Sequence, residues 1–84
     1  MTTVPINDPI EVIVHFSEKS IYPLRFKWKN RAYRIKKIHF KWDERVGDYK
    51  LFHFRIQSES SDIFEITLDT EKLRWKLATV ELEG

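Results

Sequence analysis

Apolar and polar residues alternate along most of this chain, and the alternation marks strands, because every second side chain of a strand points the same way. In residues 10–16, Ile10, Val12, Val14 and Phe16 share one face. Residues 24–29 read apolar, basic, apolar, basic: Leu24, Arg25, Phe26, Lys27, Trp28, Lys29. Tyr33 and Ile35 resume the alternation after Asn30-Arg31, and then the phase slips, since Ile38, Phe40 and Trp42 fall on even numbers. One extra residue restores the facing, so a bulge is expected near Lys36-Lys37, with Phe40 and Trp42 on the apolar side. Further strands come with Phe52, Phe54 and Ile56, then Phe64, Ile66 and Leu68, then Leu73, Trp75 and Leu77. A second change of phase before Val80 and Leu82 predicts a bulge near Ala78-Thr79.

Between these runs lie turn signals: residues 17–20, a loop over 43–48 containing Gly47, the polar stretch 58–62, and residues 69–72. Residues 1–9, with two prolines and few apolar groups, read as an irregular lead-in. No segment sustains a 3.6-residue period, and the apolar set is dominated by β-branched and aromatic residues. The predicted fold is all-β: an antiparallel meander of five to six strands, forming a curved sheet or a partly open small barrel, in one domain over residues 1–84.

Pairing the strands sharpens the picture. A two-residue loop at Asn30-Arg31 sets Lys29 against Ala32, Trp28 against Tyr33 and Phe26 against Ile35, which makes one apolar face. On the other face Lys27 meets Arg34 and Arg25 meets Lys36, like charges placed opposite each other. The last hairpin is an internal control. With residues 69–72 as its loop, Leu68 meets Leu73, Ile66 meets Trp75 and Phe64 meets Leu77, while Thr67 faces Arg74 and Glu65 faces Lys76. Its outer charges are opposite in sign.

Composition changes this picture chiefly through charge. The net charge of the 84 residues is only +2. Eight of the fifteen basic residues, however, lie within residues 25–41: Arg25, Lys27, Lys29, Arg31, Arg34, Lys36, Lys37 and Lys41. No acid falls between Glu18 and Asp43, and the rest of the chain is net acidic. Such a cluster has two readings. It is either a site for an anionic partner, nucleic acid above all, whose phosphates relieve the repulsion, or a solvated lysine-rich face that guards an edge strand or is neutralised by acids such as Glu59, Asp62 or Glu81. In the first case the eight residues are the candidate binding set and the domain is a nucleic-acid or polyanion-binding accessory module. In the second it is a protein-interaction or self-associating module.

Residue types narrow the chemistry further. With no cysteine, disulfides, thiolate metal sites and a cysteine nucleophile are excluded. His15, His39 and His53 have no ligand spacing. The acids Asp43, Glu44 and Asp48 around Gly47 do not match a calcium loop, and the two glycines make no phosphate-cradling motif. Ser58, Ser60 and Ser61 read as turn formers. Trp28, Trp42 and Trp75 sit on the apolar phase, which assigns them to the core rather than to base stacking. No catalytic residue, metal site or cofactor is therefore expected. No apolar run approaches the roughly 20 residues of a membrane span, and residues 1–5 lack the pattern of a signal peptide. The expected setting is the cytoplasm.

The stretch from Leu24 to Ile35 followed by Trp42 resembles a family of small bacterial domains of unknown function, in which a tryptophan, a Gly-Arg turn and an aromatic precede a second tryptophan. The run 64–69 followed by Trp75, Lys76 and Leu77 is similar to that family's closing hairpin. Asn30 stands where the family tends to have glycine. Members sometimes occur beside, or fused to, damage-bypass polymerases, so the resemblance implies a β fold and an accessory role near nucleic acid.

Overall fold

The computed structural model describes residues 2–82, and among them every regular element is a strand. There are six: β1 (Thr2–Phe16), β2 (Ile21–Trp28), β3 (Arg31–Val46), β4 (Tyr49–Ser58), β5 (Ile63–Asp69) and β6 (Arg74–Leu82). Each pairs antiparallel with the next, and β1 also pairs with β6, so the meander closes into a ring. Two long strands make the closure by changing partner along their length. Residues 2–10 of β1 pair with β6, and residues 11–16 pair with β2. Residues 31–34 of β3 pair with β2, and the remainder of the strand pairs with β4.

The lead-in expected over residues 1–9 is, from Thr2 onward, the first half of β1. Val4, Ile6, Asp8 and Ile10 turn inward along it. Asn7 takes a left-handed conformation (φ 59°) inside a register shift between Pro5 and Asp8. Pro5 and Pro9 do not break the strand. A stretch paired on one side only tolerates proline, because alternate N–H groups face away from the ladder.

Phe26, Phe54, Ile56, Phe64, Ile66, Leu77 and Val80 form the buried core. At the end closed by the β2–β3 hairpin, aromatic rings dominate. Phe26 stacks on Tyr33 with ring centroids 5.0 Å apart, and both meet Phe64 of β5 edge-on at 5.1 Å. Trp28 approaches Phe64 at 6.4 Å, and its indole N–H donates to Asp8 Oδ2 at 2.9 Å. The hairpin is thus held to β5 through its inner face and to the bulged half of β1 by a charged hydrogen bond.

The registers correct several expectations. The β2–β3 turn is Lys29-Asn30, not Asn30-Arg31. Both residues have positive φ (50° and 62°), as a two-residue hairpin turn of matching twist requires. Asparagine accepts that conformation more readily than arginine, so the turn slides back by one residue. Phe26 consequently faces Tyr33, and Arg25 faces Arg34. In the last hairpin the loop is Thr70 to Leu73, because Asp69 Oδ1 accepts the N–H groups of Glu71 and Lys72 and carries the ladder one pair further. Asp69 now faces Arg74, Thr67 faces Lys76, Ile66 faces Leu77 and Glu65 faces Thr79. The expected bulges at Lys36 and Ala78 are present. The 43–48 loop shortens to Gly47-Asp48, with Gly47 at φ 60°.

This packing has two measurable consequences. Phe26→Ala removes a buried ring that meets both Tyr33 and Phe64 and should destabilise the fold by about 3–5 kcal/mol in urea unfolding. Leu73 holds a left-handed conformation (φ 53°) while 78% exposed. Leu73→Asn should therefore raise stability, by about 1 kcal/mol, since the strain is relieved and little packing is lost.

Candidate nucleic-acid interface

All eight candidate residues are exposed. Among the described residues, none of them lies within ion-pair distance of a carboxylate; the ion pairs found are Lys50–Asp43 and Arg55–Glu81, and His53 contacts Glu44. Glu81 is thus engaged by Arg55, with a 2.6 Å contact, and Asp62 accepts from the Ser60 hydroxyl at 2.8 Å. Two acids border the cluster: Glu11 of β1 lies opposite Lys27, and Glu59, just past β4, donates its backbone N–H to the Arg34 carbonyl at 3.0 Å.

Strand geometry divides the eight into groups. Arg25 and Arg34 are direct cross-strand partners on the outer face of the hairpin, between Ile13 of β1 on one side and the bulge of β3 on the other. The expected partners, Lys27 with Arg34 and Arg25 with Lys36, are not formed, yet the juxtaposition of like charges persists. Lys36 is the extra residue of the bulge, and Lys37 comes next on the outer side, opposite Gln57. Lys29 and Arg31 belong elsewhere. Lys29 Nζ sits 5.1 Å from the Trp28 ring centroid and the Arg31 guanidinium 5.3 Å from that of Tyr33. Both therefore cap the aromatic end of the ring. Lys41 lies at a seam, 5.4 Å from the Tyr22 ring.

That seam arises because β2 and β3 share only four residue pairs. Beyond them, residues 21–24 of β2 and 36–46 of β3 diverge, and a cleft opens that is lined by Ile21, Lys41, Trp42, Phe52 and His53. Leu24, expected inside, is 45% exposed, since a register shift between Ile13 and Val14 makes it the unpaired residue of β2.

The largest departure concerns Phe40 and Trp42. A further shift between Ile38 and Phe40 makes His39 an extra residue and turns the next residues over. Phe40 is 65% and Trp42 42% exposed, whereas Trp28 and Trp75 pack against the core. Phe40 opposes Arg55, and Trp42 opposes His53, both on the outer side of β4. The indole lies flat on the His53 imidazole, with centroids 5.2 Å apart and planes 16° from parallel. His53 is itself fixed: Nε2–H donates to Glu44 Oε1 at 2.8 Å, and Nδ1 lies 3.0 Å from Thr67 Oγ1. No residue of the 36–42 stretch signals a second bulge. Only the pairing with β4, which must keep Ile56 and Phe54 inside, selects it. The outer side of β3 thus carries Arg34, Lys36, Lys37, Phe40 and Trp42 in succession.

His39 Nε2 contacts Gln57 Oε1 at 3.1 Å, and His15 lies opposite Tyr22. Among the described residues, no three His, Asp or Glu side chains gather as a metal site. No family model matches the chain, and neither a curated protein nor a solved structure matches it.

The Arg25–Arg34 pair has a thermodynamic signature. Arg34→Glu replaces repulsion by attraction across the ladder, and it should raise stability by about 0.2–1 kcal/mol. The gain should shrink as salt is added, because both groups are exposed. Urea midpoints at low and high salt read both effects.

Proposed function

We propose that this domain binds nucleic acid through the outer face of the β2–β3 hairpin and the adjoining length of β3. The observation that carries the reading is Arg25 held directly opposite Arg34, continuous with Lys36 and Lys37, with no carboxylate within ion-pair distance among the described residues, Glu59 included. A ladder position that opposes two arginines is unfavourable in the isolated molecule. Phosphate contacts relieve it, and guanidinium groups are suited to two-pronged contacts with phosphate oxygens. No catalytic part is assigned to the chain.

Lys27 contributes less, since Glu11 faces it. Lys29, Arg31 and Lys41 rest on aromatic rings and extend the positive field rather than forming the centre of the face. The self-associating reading keeps one specific support, the diverging edges of β2 and β3 along the seam.

Titration of labelled single- and double-stranded oligonucleotides at about 50 mM salt should show binding that weakens steeply as salt rises. Neutralising Arg25, Arg34, Lys36 or Lys37 singly should each lower the salt slope by about one. Absence of binding at low salt would refute the proposal. Arg34→Glu, expected to stabilise the fold, should weaken binding, so the two measurements move in opposite directions.

A further inference from the structure

The two aromatics that β3 turns outward say what kind of nucleic acid the face accepts. We propose that the β3 face takes single-stranded nucleic acid, with one unpaired base stacked on Trp42 and a neighbouring base on Phe40. This rests on the phosphate-binding reading of the same face and adds the form of the ligand to it.

A large aromatic side chain ordinarily goes to the core of so small a domain. Here the second bulge, at His39, expels two in succession. Phe40 and Trp42 come after Arg34, Lys36 and Lys37 along one side of one strand, with Arg34 and Trp42 eight residues apart. At about 3.3 Å per residue they are separated by at most about 26 Å, a length compatible with the shorter single-strand sites, on the order of 4 nucleotides. A track of cations alongside exposed rings is the combination that single strands require, since the cations meet phosphates and the rings meet base faces.

Trp42 is prepared for such a contact. One face of its indole is covered by His53, and His53 cannot swing away without losing Glu44 and Thr67. The indole is therefore held in place before any ligand arrives, so little side-chain entropy is lost on stacking. Trp42 and His53 also border the cleft at the seam, whose wall carries Ile21, Lys41 and Phe52 together with the acids Glu18 and Asp43. Glu44, just beyond Trp42, places negative charge at that end of the stripe. Phosphates consequently run from Trp42 toward Lys37 and Arg34 rather than toward the β3–β4 turn. A duplex gains nothing from the rings, because its base faces are already stacked.

The experiment compares short oligo(dT), a duplex of the same length and heparin as ligands of the intact chain and of the variants Trp42→Ala, Phe40→Ala and Trp42→Phe. Unchanged urea midpoints verify that the exposed positions do not carry the fold. Each alanine variant should bind oligo(dT) about 5- to 150-fold more weakly, the range for loss of one base stack. The salt slope, duplex affinity and heparin affinity should stay as they are, and Trp42→Phe should retain most of the single-strand affinity. Single-strand affinity that is indifferent to both alanine changes, or duplex affinity that falls equally, would overturn the stacking proposal while salt-dependent heparin and duplex binding kept the phosphate face intact. A dimer in sedimentation that Trp42→Ala dissociates, with oligo(dT) affinity unaltered, would also overturn it and make the β3 face a contact between copies. Binding to none of the three ligands would remove both readings together.

Discussion

The contact of Phe26, Trp28 and Tyr33 with Phe64 is the constraint on which the rest of the molecule depends. The β2–β3 hairpin has only four ladder pairs, too few to hold a ring closed by backbone hydrogen bonds alone. Its outer face adds repulsion. The inner face fixes it, where three rings converge on one phenylalanine of β5. Aromatic pairs contribute about 0.5–1.5 kcal/mol each beyond their buried area, whereas a like-charge pair across a ladder costs less than about 1 kcal/mol. The inner face therefore wins, and the hairpin can present arginine against arginine without unfolding.

Packing and positive charge are thereby placed on opposite sides of the same two strands. Because side chains alternate across a strand, Phe26 and Tyr33 can be chosen for packing while Arg25 and Arg34 are chosen for charge. The closing hairpin has the same division with opposite charges outside. Its outer side pairs Asp69 with Arg74, and β4 and β6 are joined by the Arg55–Glu81 ion pair. Ordinary charge pairing on that side makes the opposed Arg25 and Arg34 of β2 and β3 stand out as a local feature of one face.

Bulges shape the remainder. One at Lys36 lets β3 leave β2 and join β4 while keeping Ile38 inside, and a second at His39 turns Phe40 and Trp42 outward. The divergence of β2 and β3 opens the seam, and the same two irregularities align the cations with the rings. An extra residue bends a strand and re-aims the side chains beyond it. In β3 the two bulges convert a run that would otherwise alternate into a stripe with basic residues at one end and aromatic residues at the other.

Period-two alternation by itself determined the all-β meander, most of the core and the places of the bulges at Lys36 and Ala78, because burial on one face forces every second residue to be apolar. It also located the concentration of positive charge, since the basic residues share a phase with nothing apolar around Arg25 and Lys27. It could not determine register. A slide of the Lys29-Asn30 turn by one residue leaves the facing of Phe26 and Tyr33 unchanged, so the pattern accommodates either pairing, and backbone conformation at Asn30 decides. Likewise the prolines of β1 have the character of breakers until pairing on a single side makes them tolerable. Phe40 and Trp42 illustrate the same constraint most directly: apolar phase in the chain meant core, and only the fit of β3 against Phe54 and Ile56 of β4 put both rings on the surface. Local pattern carries the number of strands and the faces they offer, whereas irregularities inside a strand are selected by the neighbour it must match.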